Sequence, residues 1–161
     1  MSTTIYYLEL LNPNDFRPSG KAVAEVSIRQ EITANPQLSR YLYETVGKDW
    51  QWSDRLKWID QQWNDYLTQP DIEVWVAYVA KEIAGYFELE QEARSNVKIA
   101  YFGLLPQFIN QCLGGYLLTA AIQQAWTLGA TRVWTHTCSL EHPHALANYV
   151  FPYAILLKTL E

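Results

Sequence analysis

The chain has 161 residues, 49% of them hydrophobic, which predicts a single domain with a sizeable core and excludes disordered and collagen-like architectures. Twelve Lys plus Arg against seventeen Asp plus Glu leave a formal charge of −5 with no basic block, so no nucleic-acid partner is expected: phosphates need clustered positive charge. No stretch approaches the roughly 18 apolar residues of a membrane span, and Met1-Ser2-Thr3-Thr4-Ile5-Tyr6 lacks the basic-then-apolar pattern of a secretory signal, so no membrane partner is expected either.

Tyr6 to Leu11 is an apolar run ending at Asn12-Pro13-Asn14-Asp15, which reads as an edge strand before a turn-rich segment. Lys21 to Ile32, with Val23, Val26 and Ile28 apolar, reads as a second strand. Leu38, Leu42 and Val46 then recur at four-residue spacing and predict a helix between Asn35-Pro36 and Gly47. A second helix is predicted from Asp54, capped by Ser53, with Leu56, Ile59, Trp63, Tyr66 and Leu67 on one face and Gln69-Pro70 as its stop. Val74 to Ala80, Ile83 to Glu90 and Val97 to Pro106 are rich in β-branched and aromatic residues and joined by short breaks, which predicts an antiparallel meander.

After Pro106 the period changes to helical. Leu117, Leu118, Ala121, Ile122, Ala125 and Leu128 form one apolar stripe ending at Gly129. Arg132 to Cys138 follows as a strand, so strand, helix and strand form a crossover unit that sets a helix N-terminus beside the sheet. Ile155 to Leu160 reads as a terminal strand, one that can also pair across a dimer.

Two cysteines, Cys112 and Cys138, make neither a disulfide framework nor a CxxC site, and point to a reduced, cytoplasmic setting. His136, His142 and His144 lack acidic or cysteine partners at ligand spacing, so no metal is expected. Seven Trp, eleven Tyr and five Phe can build a core or line a pocket. Tyr43, Trp50 and Trp52 are the candidates for an aromatic-walled acceptor pocket that would hold a cationic or flat substrate.

The segment Gln111-Cys112-Leu113-Gly114-Gly115-Tyr116-Leu117 opens the best-specified helix with small residues. Its free N–H groups and the helix dipole suit an anion, although close helix-to-strand packing would use the same glycines. Val97 to Tyr149 resembles the GNAT N-acetyltransferase superfamily, whose acetyl-coenzyme A motif reads Gln/Arg-x-x-Gly-x-Gly/Ala; Gln111, Gly114 and the position of Tyr116 fall in it. The family's Asn-x-x-Ala-x-x-x-Tyr pattern keeps Ala145 and Tyr149, with His142 in place of the asparagine.

The resemblance implies an α/β (α+β) fold: a mixed, mostly antiparallel central sheet flanked by helices, with the fourth and fifth strands splayed around pantetheine. It implies acetyl-coenzyme A as co-substrate and a small-molecule or peptide amine as acceptor. Backbone near Phe102, Gly103 and Leu104 would pair with pantetheine, with Gly103 suited to the family's bulge. Amides from Leu113 to Tyr116 would hold the pyrophosphate, Gln111, Cys112 and Leu117 would complete the cradle, and His142 would contact the coenzyme. Tyr149 would protonate the departing thiolate.

Departures from the family pattern accompany these matches. Lys98 stands where some members carry a glutamate base, which leaves Glu88 and Glu90, on one face of the preceding strand, as carboxylates that could relay a proton or simply face solvent. Tyr116 either narrows the phosphate approach or points away from it. Cys112 replaces a frequent glycine, as a small buried hydrophobe or a thiol of lowered pKa. A covalent route through Cys138 would need His136 as base, whereas the family transfers directly. Two principal readings follow: an N-acetyltransferase, or a non-catalytic acyl-coenzyme A sensor or scaffold on the same fold.

Overall fold

Among the described residues, seven strands form one sheet in the order β2-β3-β4-β5-β6-β1-β7, and three helices cover it. The computed structural model describes residues 5–16, 25–109, 113–138 and 155–160. The strands are β1 (Ile5–Leu10), β2 (Val26–Gln30), β3 (Ile72–Val79), β4 (Glu82–Glu92), β5 (Asn96–Leu104), β6 (Arg132–Cys138) and β7 (Ile155–Leu160). The helices are α1 (Pro36–Gly47), α2 (Asp60–Leu67) and α3 (Leu113–Thr127). Strands β2 to β5 pair antiparallel in succession, as the meander predicts, and β5 with β6 is the parallel pair that a helical crossover requires.

The sheet has a core on each face. Leu8, Leu10, Phe87, Leu89, Val97 and Val133 pack with the α3 stripe Leu117, Leu118, Ala121, Ile122 and Ala125. Val74, Val76, Ala84 and Tyr86 pack with Leu42 and Val46 of α1 on the other face. Asn35 caps α1, its Oδ1 accepting from the Leu38 amide at 3.1 Å, and Pro36 occupies the first turn, where no donor is lost. At the end of α3, Gly129 takes φ +88, which lets the Ala130 amide reach back to the Ala125 carbonyl.

Three expectations are corrected. β1 is an interior strand, antiparallel to both β6 and β7; a short apolar run says nothing of the neighbours that arrive more than a hundred residues later. β7, the expected terminal strand, pairs with β1 and forms one edge of the sheet. The second helix begins at Asp60, with Gln62 Oε1 accepting from the Ile59 amide at 2.9 Å, while residues 53–58 form turns that leave Leu56 and Ile59 exposed. What holds that segment out of a helix is Arg55, drawn into the core by a partner on β4.

The third correction concerns the bulge of β5, which falls at Ala100, not Gly103: Glu88 faces Tyr101 and Leu89 faces Ile99, so Ala100 has no opposite number. That extra residue switches the alternation. Val97 and Ile99 before it and Phe102 after it all face α3, while Lys98 and Tyr101 share the opposite face with α1. Gly103 is needed for a different reason, since a Cβ there would lie 2.4 Å from Val46 Cγ1 of α1.

Candidate functional site

Strands β5 and β6 run side by side for only three residue pairs, Asn96 with Arg132, Val97 with Val133 and Lys98 with Trp134. Both strands continue, β5 to Leu104 and β6 to Cys138, without pairing. They splay, and the Thr135 hydroxyl donates to the Ile99 carbonyl at 2.9 Å, a stitch at the apex of the gap. Beyond that stitch, among the described residues, the register of β5 with β6 does not continue toward Gly103 and Leu104. A parting of this kind accepts an extended ligand as an added strand.

The N-terminus of α3 completes one side of the gap. Leu113 and Leu117 are buried and Gly114, Gly115 and Tyr116 partly exposed. A Cβ added at Gly114 would meet no atom within 4 Å, so the fold itself does not demand this glycine and open space lies beside the first turn. Tyr116 joins Leu113, Leu117 and Leu104 in lining a narrow apolar cleft with Val26 and Ile28 of β2 and Ala77 and Val79 of β3. Gln111, Cys112, His142 and Tyr149 lie outside the described residues.

The face away from α3 is aromatic. Tyr43 of α1 is buried between Trp52, Trp63 and Tyr101, at ring-centroid distances of 5.6, 5.9 and 5.4 Å. Trp52 lies 4.9 Å from Tyr101 and rests on Gly47, where a Cβ would come within 2.6 Å of the indole. The indole nitrogen of half-buried Trp50 lies 4.0 Å from where a Cβ of Gly103 would stand. The three proposed pocket residues, Tyr43, Trp50 and Trp52, are thus gathered beside the outer half of β5.

Beneath them is a charge pair that the sequence did not announce. Arg55 is 6% exposed and Glu88 0%, and Arg55 Nη1 donates to both Glu88 oxygens at 3.1 Å while the Tyr66 hydroxyl donates to Oε1 at 2.9 Å. The rings of Tyr66, Tyr101, Trp58, Trp63 and Tyr43 surround the guanidinium at 4.1 to 5.9 Å. The Arg55 amide also donates to the Tyr43 hydroxyl at 3.0 Å. Burial opposes the charge on Arg55, but the Glu88 carboxylate and the Tyr66 and Tyr101 oxygens outweigh it and hold the guanidinium protonated beyond its ordinary range.

Glu88 is therefore not on a solvated strand face; its oxygens are engaged and it anchors the 48–59 loop to β4. Glu90 shares that face, half-buried, opposite Lys98 and one step before β5 and β6 part. In the sequence Arg55 is one of two cations, with Lys57, inside a tryptophan-rich segment, and its partner lies 33 residues away.

The tyrosines carry a prediction. Burial raises the pKa of Tyr43, Tyr66, Tyr86 and Tyr101, and the Glu88 charge adds to the rise at Tyr66 and Tyr86. In the unfolded chain these phenols titrate near 10. Folded-state pKa values above the unfolded value stabilise the fold fully below pH of about 10 and lose that contribution as pH rises above it. Stability should hold up to about pH 10 and then fall, and absorbance at 295 nm should show part of the tyrosine ionisation arriving with unfolding. A smooth titration complete before unfolding would contradict this.

Comparison with known proteins agrees with the geometry. The family model described as the acetyltransferase (GNAT) family matches residues 37–150, so the chain belongs to the GNAT acetyltransferase family. Among solved structures, a GCN5-related N-acetyltransferase from Sphaerobacter thermophilus is similar at TM-score 0.75 and 12% identity, over 98% of this chain and 49% of that one. A conserved protein of unknown function from Staphylococcus epidermidis ATCC 12228 gives TM-score 0.68 and 16% identity, over 98% and 58%. An aminoglycoside acetyltransferase, meta-AAC0020 from an uncultured soil metagenomic sample, solved with sisomicin, gives 0.54 and 20%, over 69% and 76%.

These likenesses show the fold alone, and this chain spans about half the length of the first two structures. A search of curated proteins gives no significant match. No helix among the described residues is long and apolar enough to cross a membrane.

Proposed function

We propose that this chain, as a single domain in a reduced, cytoplasmic setting, transfers an acetyl group from acetyl-coenzyme A directly to a primary amine of a small molecule or peptide. The observation that carries the reading is the splay of β5 from β6 beyond Lys98 and Trp134, closed at its apex by Thr135 and flanked by the open first turn of α3. Pantetheine amides would pair with backbone groups of β5 near Phe102, Gly103 and Leu104. The pyrophosphate would sit on the amides of Leu113 to Tyr116, where the helix dipole favours negative charge and the space beside Gly114 admits a phosphate.

Direct transfer needs a neutral amine, a polarised thioester carbonyl and a proton for the departing thiolate. In this reading Tyr149 supplies that proton, and Tyr43, Trp50 and Trp52 wall the acceptor. Glu88 works at one remove, fixing the wall through Arg55. The decisive experiment measures release of free thiol from acetyl-coenzyme A with and without a panel of primary amines. The expected result is saturable, amine-dependent release that Tyr149→Phe slows. Tight binding without any amine-dependent release would instead favour a sensor or scaffold.

A further inference from the structure

The bulge at Ala100 brings two unlike groups onto one face of β5. Lys98 and Tyr101 are three positions apart, a spacing that in a regular strand sets side chains on opposite faces. With Ala100 left out of the pairing, both turn away from α3, and the residues opposite them, Glu90 and Glu88, are two positions apart on β4. That separation is roughly 7 Å along the strand. Tyr101 belongs to the aromatic wall, its ring centroid 5.4 Å from Tyr43 and 4.9 Å from Trp52. Lys98 is the last residue of β5 in register with β6, where it faces Trp134. A cation therefore stands at the root of the gap, beside a neutral wall.

The ammonium of Lys98 is not committed to a carboxylate. Glu90 lies directly across from it and both are half-buried, yet among the described residues Lys98 forms no ion pair. Its Nζ lies instead 4.9 Å from the centroid of the Trp134 ring, on the β6 side. Neighbouring charges on this face are engaged: Arg132, which also lies over Trp134 at 5.2 Å, is paired with Glu9, and Glu92 accepts from the Trp134 indole N–H. Glu88 is taken up by Arg55 and Tyr66. Tyr7 stacks on Trp134 at 6.3 Å, so the indole beneath Lys98 is held from the β1 side as well. An ammonium resting on a ring face keeps N–H donors for an incoming anion.

We propose that Lys98 is the anion anchor of the acceptor pocket and that the acceptor is an amino acid. Its carboxylate pairs with Lys98, its flat or apolar side chain lies on the wall of Tyr43, Trp52 and Tyr101, and its α-amine is left at the gap. The inference rests on the acetyl-transfer reading and narrows its acceptor from primary amines at large to α-amino carboxylates. Carboxylate and side chain leave the α-carbon in different directions, and one amino acid spans the distance from Lys98 to Tyr101. An acceptor with a second ammonium in place of the carboxylate would meet the Lys98 charge instead.

Calorimetric titration of matched ligands, with coenzyme A present, tests the anchor without requiring turnover. Phenylalanine, tryptophan and leucine are each compared with the amine that lacks the carboxylate: phenethylamine, tryptamine and isopentylamine. At least one amino acid should bind about 10-fold or more tightly than its partner. Lys98→Met keeps an apolar stem over Trp134 and removes the charge, so the preference should disappear, while Lys98→Arg should retain most of it. In turnover, Lys98→Met should raise KM for the preferred amino acid about 10-fold and change kcat less. That split is expected of a group that holds the carboxylate and takes no part in proton transfer.

A wild-type protein that prefers none of the amino acids over its matched amine overturns the anchor. So does a preference that survives intact in Lys98→Met, with thermal unfolding confirming that the variant is folded. A Lys98-dependent preference without any amine-dependent release of thiol overturns acetyl transfer instead and leaves a carboxylate-binding site at the gap.

Discussion

Glu88→Ala should cost about 3–5 kcal/mol of folding stability, a large share of what a domain of this size has. The carboxylate is fully buried and supplies the only counter-charge shown for Arg55, itself 6% exposed. Without it the guanidinium keeps only the ring faces at 4.1 to 5.9 Å, contacts the native protein already makes and which therefore cannot compensate for the lost counter-charge. The Tyr66 hydroxyl would lose its acceptor as well. Pairing Glu88→Ala with Arg55→Met should recover most of the loss, because removing both charges leaves none buried alone. Urea unfolding of the four proteins in the double-mutant cycle measures this. A loss below about 1 kcal/mol in Glu88→Ala would show that the ion pair does not hold the loop.

Gly114→Leu should do the reverse: keep the fold and lose the ligand. A Cβ at this position meets no protein atom within 4 Å, and glycine in a helix is less favourable than leucine by roughly 0.5–1 kcal/mol. Unfolding free energy should therefore be unchanged or slightly higher. The side chain would occupy the space beside the first turn of α3, where the phosphates are proposed to sit, so affinity for acetyl-coenzyme A should fall at least about 100-fold, some 2.7 kcal/mol. Isothermal titration calorimetry on the folded variant separates these outcomes. Full binding by Gly114→Leu would move the phosphate site elsewhere.

Local chemistry made most of the fold legible. Leu42 and Val46 of the four-residue spacing and Leu117, Leu118, Ala121, Ile122 and Ala125 of the α3 stripe are buried as expected, while Leu38 and Leu128 are partly buried. The meander followed from β-branched runs and short breaks. Where the reading failed, a distant partner decided. The helix expected from Asp54 gives way because an ion pair to Glu88, 33 residues on, is worth more than one turn of marginal helix. The bulge went to Ala100 because cross-strand pairing with Glu88 and Leu89 sets parity, and no glycine is needed for it. Tyr43, Trp50 and Trp52 were found because aromatic side chains crowded near a helix end are conspicuous. Arg55 was not singled out for the site, and His136 only as the base of a covalent route through Cys138, since a charge on a loop or strand has meaning only once its neighbours are known.

The central claim is that the gap between β5 and β6 is an acetyl-coenzyme A site. Thermal unfolding of the purified protein with acetyl-coenzyme A, beside free coenzyme A and no ligand, tests it most directly, since a ligand that binds only the native state must stabilise it. At about 100 times its dissociation constant the ligand adds about 2.7 kcal/mol, which for a domain of this size raises Tm by roughly 5–10 °C. An upward shift of that order is the predicted result. No shift at millimolar ligand would contradict the account and leave a GNAT fold that does not bind its family's co-substrate.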